Sequence, residues 1–307
     1  MSLRQWLWLG VLSFFWGSAF IFMEVALPTF SPLLIVTGRM GLAALVLNGA
    51  LLWQEKLRLE LSTLSRSLWL KCAGLSLLSN LLPFGLIVWG QQHISASLAS
   101  ILIAATPLFT VVLAVFLVGE RLTVVRGFGV ALGFAGVIVL IGPEVLRGFD
   151  LGGLGELAIL GAALFYAIGG FVGSRFNTVP SQLLSTMTVT SGAVIMATFV
   201  IVLGLVDPTS PSLLVTNWRW SAGLALLCLG VFPTAIAYLI YYRLLAQAGV
   251  VNTSLVSFLV PLSTLVLGAV FLSDRLDLAA IIGMSCILSG LAILDGRALK
   301  LLKIKIN

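Results

Sequence analysis

The chain is predicted to be an all-α integral membrane protein, with ten transmembrane helices forming two inverted five-helix repeats around a central cavity. Three observations carry this expectation. Charged residues make up 9% of the 307 residues and apolar ones 60%, whereas a soluble domain carries roughly a quarter charged residues. Ten apolar stretches of about twenty residues follow one another, each long enough to cross roughly 30 Å of hydrocarbon at about 1.5 Å per residue. Finally, segments 91–142 and 245–296 align at one offset without a gap, with about a dozen identities in roughly fifty positions, which marks an internal repeat.

In that alignment Ser100 falls on Ser254, Pro107 and Leu108 on Pro261 and Leu262, and Thr110 on Thr264. Glu120, Arg121 and Leu122 fall on Asp274, Arg275 and Leu276, while Gly129, Gly136 and Gly142 meet Gly283, Gly290 and Gly296. Each half then holds an odd number of spans, so the second copy enters the bilayer upside down. Inverted repeats of this kind build secondary transporters. The first repeat is placed at 1–142 and the second, with its basic tail, at 143–307.

The spans are predicted over 4–27, 32–53, 68–90, 96–118, 124–142, 154–174, 182–206, 219–242, 250–272 and 277–298. Pro28, Pro32, Gly90, Gly119, Gly142, Pro143, Pro180, Pro208, Pro211 and Gly249 punctuate them, because proline and glycine interrupt helices. The connections are short, so sequence neighbours run antiparallel. With the N-terminus in the cytoplasm, one side collects Arg4, Lys56, Arg58, Arg66, Lys71, Arg121, Arg126, Arg175, Arg243, Arg297, Lys300, Lys303 and Lys305. The other collects Arg147, Arg219 and Arg275. Cytoplasmic loops attract the Lys and Arg, so both termini are expected inside. A cleaved leader over the first span fits poorly, since Trp6, Trp8 and Trp16 are unusual in such a segment and its removal would leave the first repeat one span short.

The net charge of +6 sits at helix ends, where it sets topology rather than marking a nucleic-acid surface. Cys72, Cys228 and Cys286 show no metal-ligand spacing and read as packing thiols. No P-loop, HExxH or GxSxG motif is present. No cofactor or metal is therefore expected, and ATP-driven transport would need a separate partner chain. An intramembrane enzyme would need a cluster of His, Cys or carboxylates in the spans, and the sequence offers none. The chain is expected not to be an enzyme.

Several residue groups are candidates for the site. Pro83 and Pro107 have mates in Pro233 and Pro261. A proline inside a helix deletes one backbone hydrogen bond and frees a carbonyl, which membranes tolerate where the freed group faces protein or a water-filled cavity. The four prolines are read as helix breaks on cavity-lining spans, against the alternative of packing kinks. Around them gather Ser76, Ser79, Asn80, Thr106, Ser254 and Ser257; an amide such as Asn80 serves either a solute or helix-to-helix contact. Trp16, Phe20, Phe84, Tyr166 and Tyr238 lie within the spans, where they either line an amphipathic cavity or fill a core. Trp16 and Tyr166 take similar places in their repeats. Trp6, Trp8, Trp53, Trp69, Trp218 and Trp220 read as an interfacial belt. Glu24 and Arg39 enter the first two spans from the same side and are expected to pair across that hairpin. His93 reads as an interfacial hydrogen-bonder.

Trp16 with Gly17, Arg39 with Met40 and Leu42 to Ala44, and the run Ala96 to Ser100 leading to Pro107 resemble the EamA repeat. So do Gly119 to Leu122 and the glycines Gly129, Gly133 and Gly136. That repeat defines the ten-helix exporters of the drug/metabolite transporter superfamily. The second half resembles it clearly from Asn252 to Gly296 and only weakly across 164–205, where no arginine matches Arg39 and Tyr166 replaces Trp16. The resemblance implies export of amino acids and related metabolites, with the fourth and ninth helices near a central cavity; the chain looks most like the YddG-type amino-acid exporters, which favour aromatic substrates. The expected partners are a small-molecule substrate and the lipid bilayer, and a monomer suffices for transport. A nucleotide-sugar or organic-phosphate transporter of the same superfamily is the alternative, but its anionic cargo would want several cationic side chains where the spans offer Arg39.

Overall fold

A computed structural model describes residues 2–53, 65–119, 123–141, 151–271 and 278–295. Among these residues the chain is helix after helix. Ser2 starts α1 (Leu3–Ala26) with a reciprocal cap: the Gln5 N–H donates to Ser2 Oγ and the Ser2 N–H to Gln5 Oε1, which satisfies two otherwise orphaned donors. Ser31 caps α2 (Pro32–Leu52), whose proline sits in the first turn where no N–H is needed. Ser65 caps α3 (Arg66–Gly90), which carries a π turn at Leu77–Leu81. The fourth span is split into α4a (Ala96–Ile103), capped by Ser95, and α4b (Thr106–Val118). Gly119 ends it at φ 71°, a left-handed conformation that favours glycine. Then come α5 (Val124–Ile141), α6 (Leu151–Ser174) and α7 (Ser181–Val206).

The helical trace continues from Trp220 through a π turn at Val231–Ile236 to Ser254, but Gly249 breaks it with φ 80° and ψ 172°. That glycine is the joint between the eighth span, α8 (220–248), and the ninth, α9 (250–271), which has a one-residue interruption at Leu255. The expected end of the eighth span at 242 is corrected: it runs on because Leu244 and Leu245 are buried while Arg243, Ala246 and Gln247 face outward, an amphipathic turn that a polar stop signal hides. The tenth span is α10 (Leu278–Asp295). Seven of the described helices are long and apolar enough to cross a membrane, and shorter apolar runs occupy Gly127–Val139, Leu259–Phe271 and Ile281–Gly290. The expected motif Glu120 to Leu122 and its mate Asp274 to Leu276 lie outside the described residues, as do the basic tail and the 54–64 connection.

The two repeats interlock. Helix α1 packs on α8 and α9, and its repeat mate α6 packs on α3 and on both parts of α4. The mates α2 and α7 pack on each other, as do α5 and α10. Exchange of the halves maps this set of contacts onto itself, as a pseudo-two-fold axis requires. The α5–α10 seam shows it residue by residue. A Cβ added at Gly290 would stand 2.5 Å from the Gly129 carbonyl oxygen, and one at Gly136 would stand 2.6 Å from the Gly283 carbonyl oxygen. Gly129 and Gly283 are repeat mates, as are Gly136 and Gly290, so the contact is its own mirror. It also runs backwards in sequence, which makes α5 and α10 antiparallel, the relation inversion demands. Small residues let helix backbones approach this closely in lipid, where apolar side chains gain nothing by leaving a hydrocarbon solvent.

The outer surface of the bundle is apolar: Leu45, Phe116, Phe199, Val206 and Phe271 are all more than half exposed. Trp53, Trp218 and Trp220 stand exposed at or beside helix ends, where indole rings suit the membrane interface. At one end of the bundle the α1–α2 turn is clasped to the α7–α8 loop. The Thr216 N–H donates to the Thr29 carbonyl at 2.9 Å and Ser31 Oγ donates to the Ser212 carbonyl at 2.6 Å.

Candidate functional site

Polar backbone groups inside a membrane need partners, and the prolines determine where unusual ones arise. Proline at position i cannot donate to the carbonyl at i−4. For Pro83 the released acceptor is the Ser79 carbonyl, and the Tyr238 hydroxyl from α8 donates to it at 2.8 Å. For Pro233 it is the Leu229 carbonyl, which takes the Thr234 hydroxyl at 2.7 Å. For Pro107 it is the Ile103 carbonyl, which takes the Thr106 hydroxyl at 2.7 Å. Two of these prolines accompany π turns: Leu77–Leu81 ends just before Pro83, and Val231–Ile236 contains Pro233. Such turns add a residue and re-aim the side chains beyond them. Pro107 and Pro261 were expected to be equivalent breaks. Pro107 does stand at the start of α4b, after a turn at Ala104 and Ala105, but Pro261 lies inside a helix that is interrupted at Leu255 instead.

These irregular stretches surround a cavity of about 70 Å³ between the repeats. That is room for a handful of waters at about 10–15 Å³ each. Nine of the ten residues predicted to contact a solute line it: Trp16 and Phe20 from α1, Ser79 and Phe84 from α3, Thr106 from α4b, Tyr166 from α6, Tyr238 from α8, and Ser254 and Ser257 from α9. Asn80 does not. It is fully buried, and its Nδ2 donates to Ser76 Oγ at 3.1 Å within α3. Both residues lie in the π turn, and of the two Ser79 lines the cavity.

Aromatic rings make up much of the lining. Tyr166 stacks on Trp16 with centroids 6.5 Å apart, and Tyr238 and Tyr241 meet the same indole at 6.4 Å and 5.4 Å. Phe84 stands edge-on to Tyr238 at 6.4 Å. Thr106, Thr110, Thr253, Ser254 and Ser257 supply hydroxyls. Tyr241, Thr110 and Thr253 were not among the sequence candidates; Tyr241 lay one residue from the expected end of its span, where a ring reads as interfacial, and Thr110 was visible as half of the Thr110/Thr264 repeat pair.

Arg39 and Glu24, expected to pair across the hairpin, each meet other groups. Arg39 is 2% exposed. Its Nε and Nη2 donate to Thr234 Oγ1 at 3.2 Å and 3.0 Å, its Nη1 faces Met23 Sδ at 3.9 Å, and its carbon Cζ lies 3.5 Å from the Phe84 ring centre. Glu24 instead accepts the Ala96 N–H at 2.8 Å, at the first turn of α4a. Depth does not separate the two, because Arg39 reaches Met23, the neighbour of Glu24; these consecutive α1 side chains leave the helix in different directions, Met23 toward the cavity and Glu24 toward α4a. Gln91, buried at the end of α3, donates to the Phe20 carbonyl at 3.0 Å and holds α3 to α1. His93 stands edge-on to Trp89 at 4.9 Å.

A helical bundle of inverted repeats, with broken helices and an aromatic, hydroxyl-lined cavity at the repeat interface, is the build of a membrane transporter. The chain belongs to the EamA-like transporter family, whose model matches residues 4–142 and 153–294. It is similar to a probable amino-acid metabolite efflux pump of Escherichia coli (strain K12), at 28% identity over 91% of this chain and 90% of that one. A probable terminal-alkyne amino-acid exporter of Streptantibioticus cattleyicolor is 26% identical over 70% of this chain and 69% of that one. A chloroplastic WAT1-related protein of Arabidopsis thaliana is 29% identical over 88% of this chain, which spans 64% of that protein's length. A solved crystal structure shares the fold with a TM-score of 0.68 at 21% identity, over 95% of this chain and 97% of its own.

Proposed function

We propose that this protein exports amino acids or related small amphipathic metabolites across a bacterial cytoplasmic membrane by alternating access, with both termini in the cytoplasm and the monomer as the working unit. The observation that carries the reading is the cavity at the repeat interface, whose lining combines indole, phenol and phenyl rings with serine and threonine hydroxyls. Such a surface holds a solute with an apolar side chain and a polar backbone. The repeat units 1–142 and 143–307 each contribute rings and hydroxyls to the lining, and a pseudo-two-fold relation between them gives two arrangements of the same contacts, one open to each side. The names of the Escherichia coli and Streptantibioticus relatives support the substrate class.

A nucleotide sugar or organic phosphate fits less well. Its two or more negative charges would meet Arg39 as the single charged residue among the described residues that line the cavity. Among the described residues the same lining holds no histidine, cysteine or carboxylate. The deciding experiment is counterflow of a panel of labelled amino acids in proteoliposomes containing the purified full chain. Saturable counterflow of at least one amino acid is expected, and its absence across the panel, with phosphorylated solutes exchanging instead, would overturn the assignment.

A further inference from the structure

We infer that Arg39 reads the negative charge of the transported solute: the end of its guanidinium takes a carboxylate, so that amino acids and organic acids are admitted and amines of the same shape are not. This rests on the transporter reading above and adds a charge to the substrate.

The guanidinium brings five N–H donors in a fixed plane and stays charged. One edge, Nε with Nη2, is committed to Thr234 Oγ1. That oxygen is itself fixed, because its proton goes to the Leu229 carbonyl released by Pro233. Phe84 covers a face of the plane. What remains is the end-on edge, Nη1 with Nη2, and the contact it has there is the Met23 sulfur at 3.9 Å. A thioether is a weak acceptor on a side chain with three rotatable bonds. Among the described residues the partners of this buried cation are thus a hydroxyl, a thioether and a ring, and none is an anion.

Such an arrangement is costly inside a membrane, where buried cations normally face a partner charge or a functional cavity. Arg39 and Met23 both line the cavity. A carboxylate arriving there needs only a rotation of Met23 to meet two parallel N–H donors, the geometry in which guanidinium binds carboxylates most strongly. The solute's ammonium group would find the faces of Trp16, Tyr166 and Tyr241, which attract cations without neutralising them. The carboxylate is therefore the discriminating group, and the ammonium is tolerated.

The test is equilibrium binding to the purified full-length protein of three matched compounds: phenylalanine, 3-phenylpropionate, which lacks the amino group, and phenethylamine, which lacks the carboxylate. The amino acid and the acid should bind about 10- to 100-fold more tightly than the amine, the range expected for a hydrogen-bonded charge pair. Arg39→Gln should remove that preference and change amine binding less than about threefold, with Arg39→Lys in between, because a point charge lacks the fork. Equal binding of acid and amine by the unaltered protein, binding of none of the three, or an Arg39→Gln protein that discriminates as before would overturn the inference. The wild-type series decides the matter even if the variants fail to fold. Counterflow separates the two readings. Acid-selective binding without amino-acid counterflow would sink the proposed function and leave the Arg39 subsite standing. Amino-acid counterflow with no preference over the amine would do the reverse.

Discussion

The indole of Trp16 lies parallel to the phenol ring of Tyr166, with centroids 6.5 Å apart and planes 12° from coplanar. The two residues hold similar places in the two repeats, so each half contributes one ring of a stacked pair in the cavity lining. Tyr241 tilts against the same indole at 5.4 Å, and the three rings make one continuous apolar wall. Large rings with few rotatable bonds give such a wall at little entropic cost.

Replacement of Trp16 or Tyr166 by Ala should therefore raise the half-saturation concentration for a solute with an aromatic side chain by about three- to tenfold, the worth of one ring contact. Solutes with small side chains should be less affected. Trp53, 92% exposed, is the control whose replacement leaves transport unchanged. Equal losses for glycine and phenylalanine in the cavity variants would mean that the rings support the fold and do not contact the solute.

A second prediction concerns the carbonyl that Pro83 releases. Tyr238→Phe removes the hydroxyl that serves Ser79 O and should lower stability by about 1 kcal/mol. Pro83→Ala resupplies a backbone N–H to that same oxygen. Since both changes act on one acceptor, the double variant should be less destabilised than the sum of the singles, as measured by thermal unfolding in detergent. Strict additivity would break the link. By the same logic Pro107→Ala allows α4a and α4b to fuse across Ala104 and Ala105, and should slow turnover without reducing expression.

The sequence made the spans and the repeat visible because each leaves a periodic trace: apolar length for the helices, and paired glycines such as Gly129 and Gly283 for the seam. Aromatic residues deep in a span, such as Trp16 and Tyr238, were also legible as cavity candidates. What stayed hidden is rotational. The π turns at Leu77–Leu81 and Val231–Ile236 shift the helical register, so no count of periods shows that Ser79 faces the cavity and Asn80 does not, or that Thr234 comes to face Arg39. The partners of Glu24 and Arg39 are rotational too: Glu24 accepts the Ala96 N–H of α4a, while its neighbour Met23 faces Arg39.

The α5–α10 seam makes a sharp stability prediction. An alanine at Gly290 places a carbon 2.5 Å from the Gly129 carbonyl oxygen, a backbone atom that cannot swing aside. Gly290→Ala should cost about 1–3 kcal/mol, as overpacking generally does, and Gly136→Ala a similar amount by symmetry. Gly10→Ala, with open space at its Cβ position, should be neutral or slightly stabilising, because alanine is the better helix former. Melting temperatures of the three variants in one detergent decide it, and a tolerant Gly290→Ala protein would show that the two helices are not in contact as described.

The orientation of the bundle rests on the Lys and Arg distribution. Cysteines at Thr63 and Lys303, which lie outside the described residues, should react with an impermeant thiol reagent only from the cytoplasm, and one at Ser212 only from the opposite face. Labelling of Lys303→Cys from outside would change the parity of the spans and contradict the inverted repeat.

The last prediction separates a structural carboxylate from a proton carrier. Glu24 Oε2 accepts the Ala96 N–H at 2.8 Å, and Ala96 opens α4a. The first N–H groups of a helix lack internal partners and carry partial positive charge, so Glu24 acts as a cap supplied by a different helix and ties α1 to α4a. Glu24→Gln keeps an acceptor oxygen and loses only the charge, and should cost under about 1 kcal/mol; Glu24→Ala leaves the Ser95 cap in place but removes the acceptor of the Ala96 N–H, and should cost about 1–2 kcal/mol. Arg39 has separate partners in Thr234 and Phe84, so stability losses from Glu24→Gln and Arg39→Gln should add. Transport by Glu24→Gln should keep whatever dependence on the pH gradient the unaltered protein shows. The measurement is flux in liposomes whose inner and outer pH are set independently. If Glu24→Gln abolished the response to the gradient while counterflow survived, the capping role would be insufficient, and the carboxylate at the α1–α4a contact would become the leading site for a coupled proton.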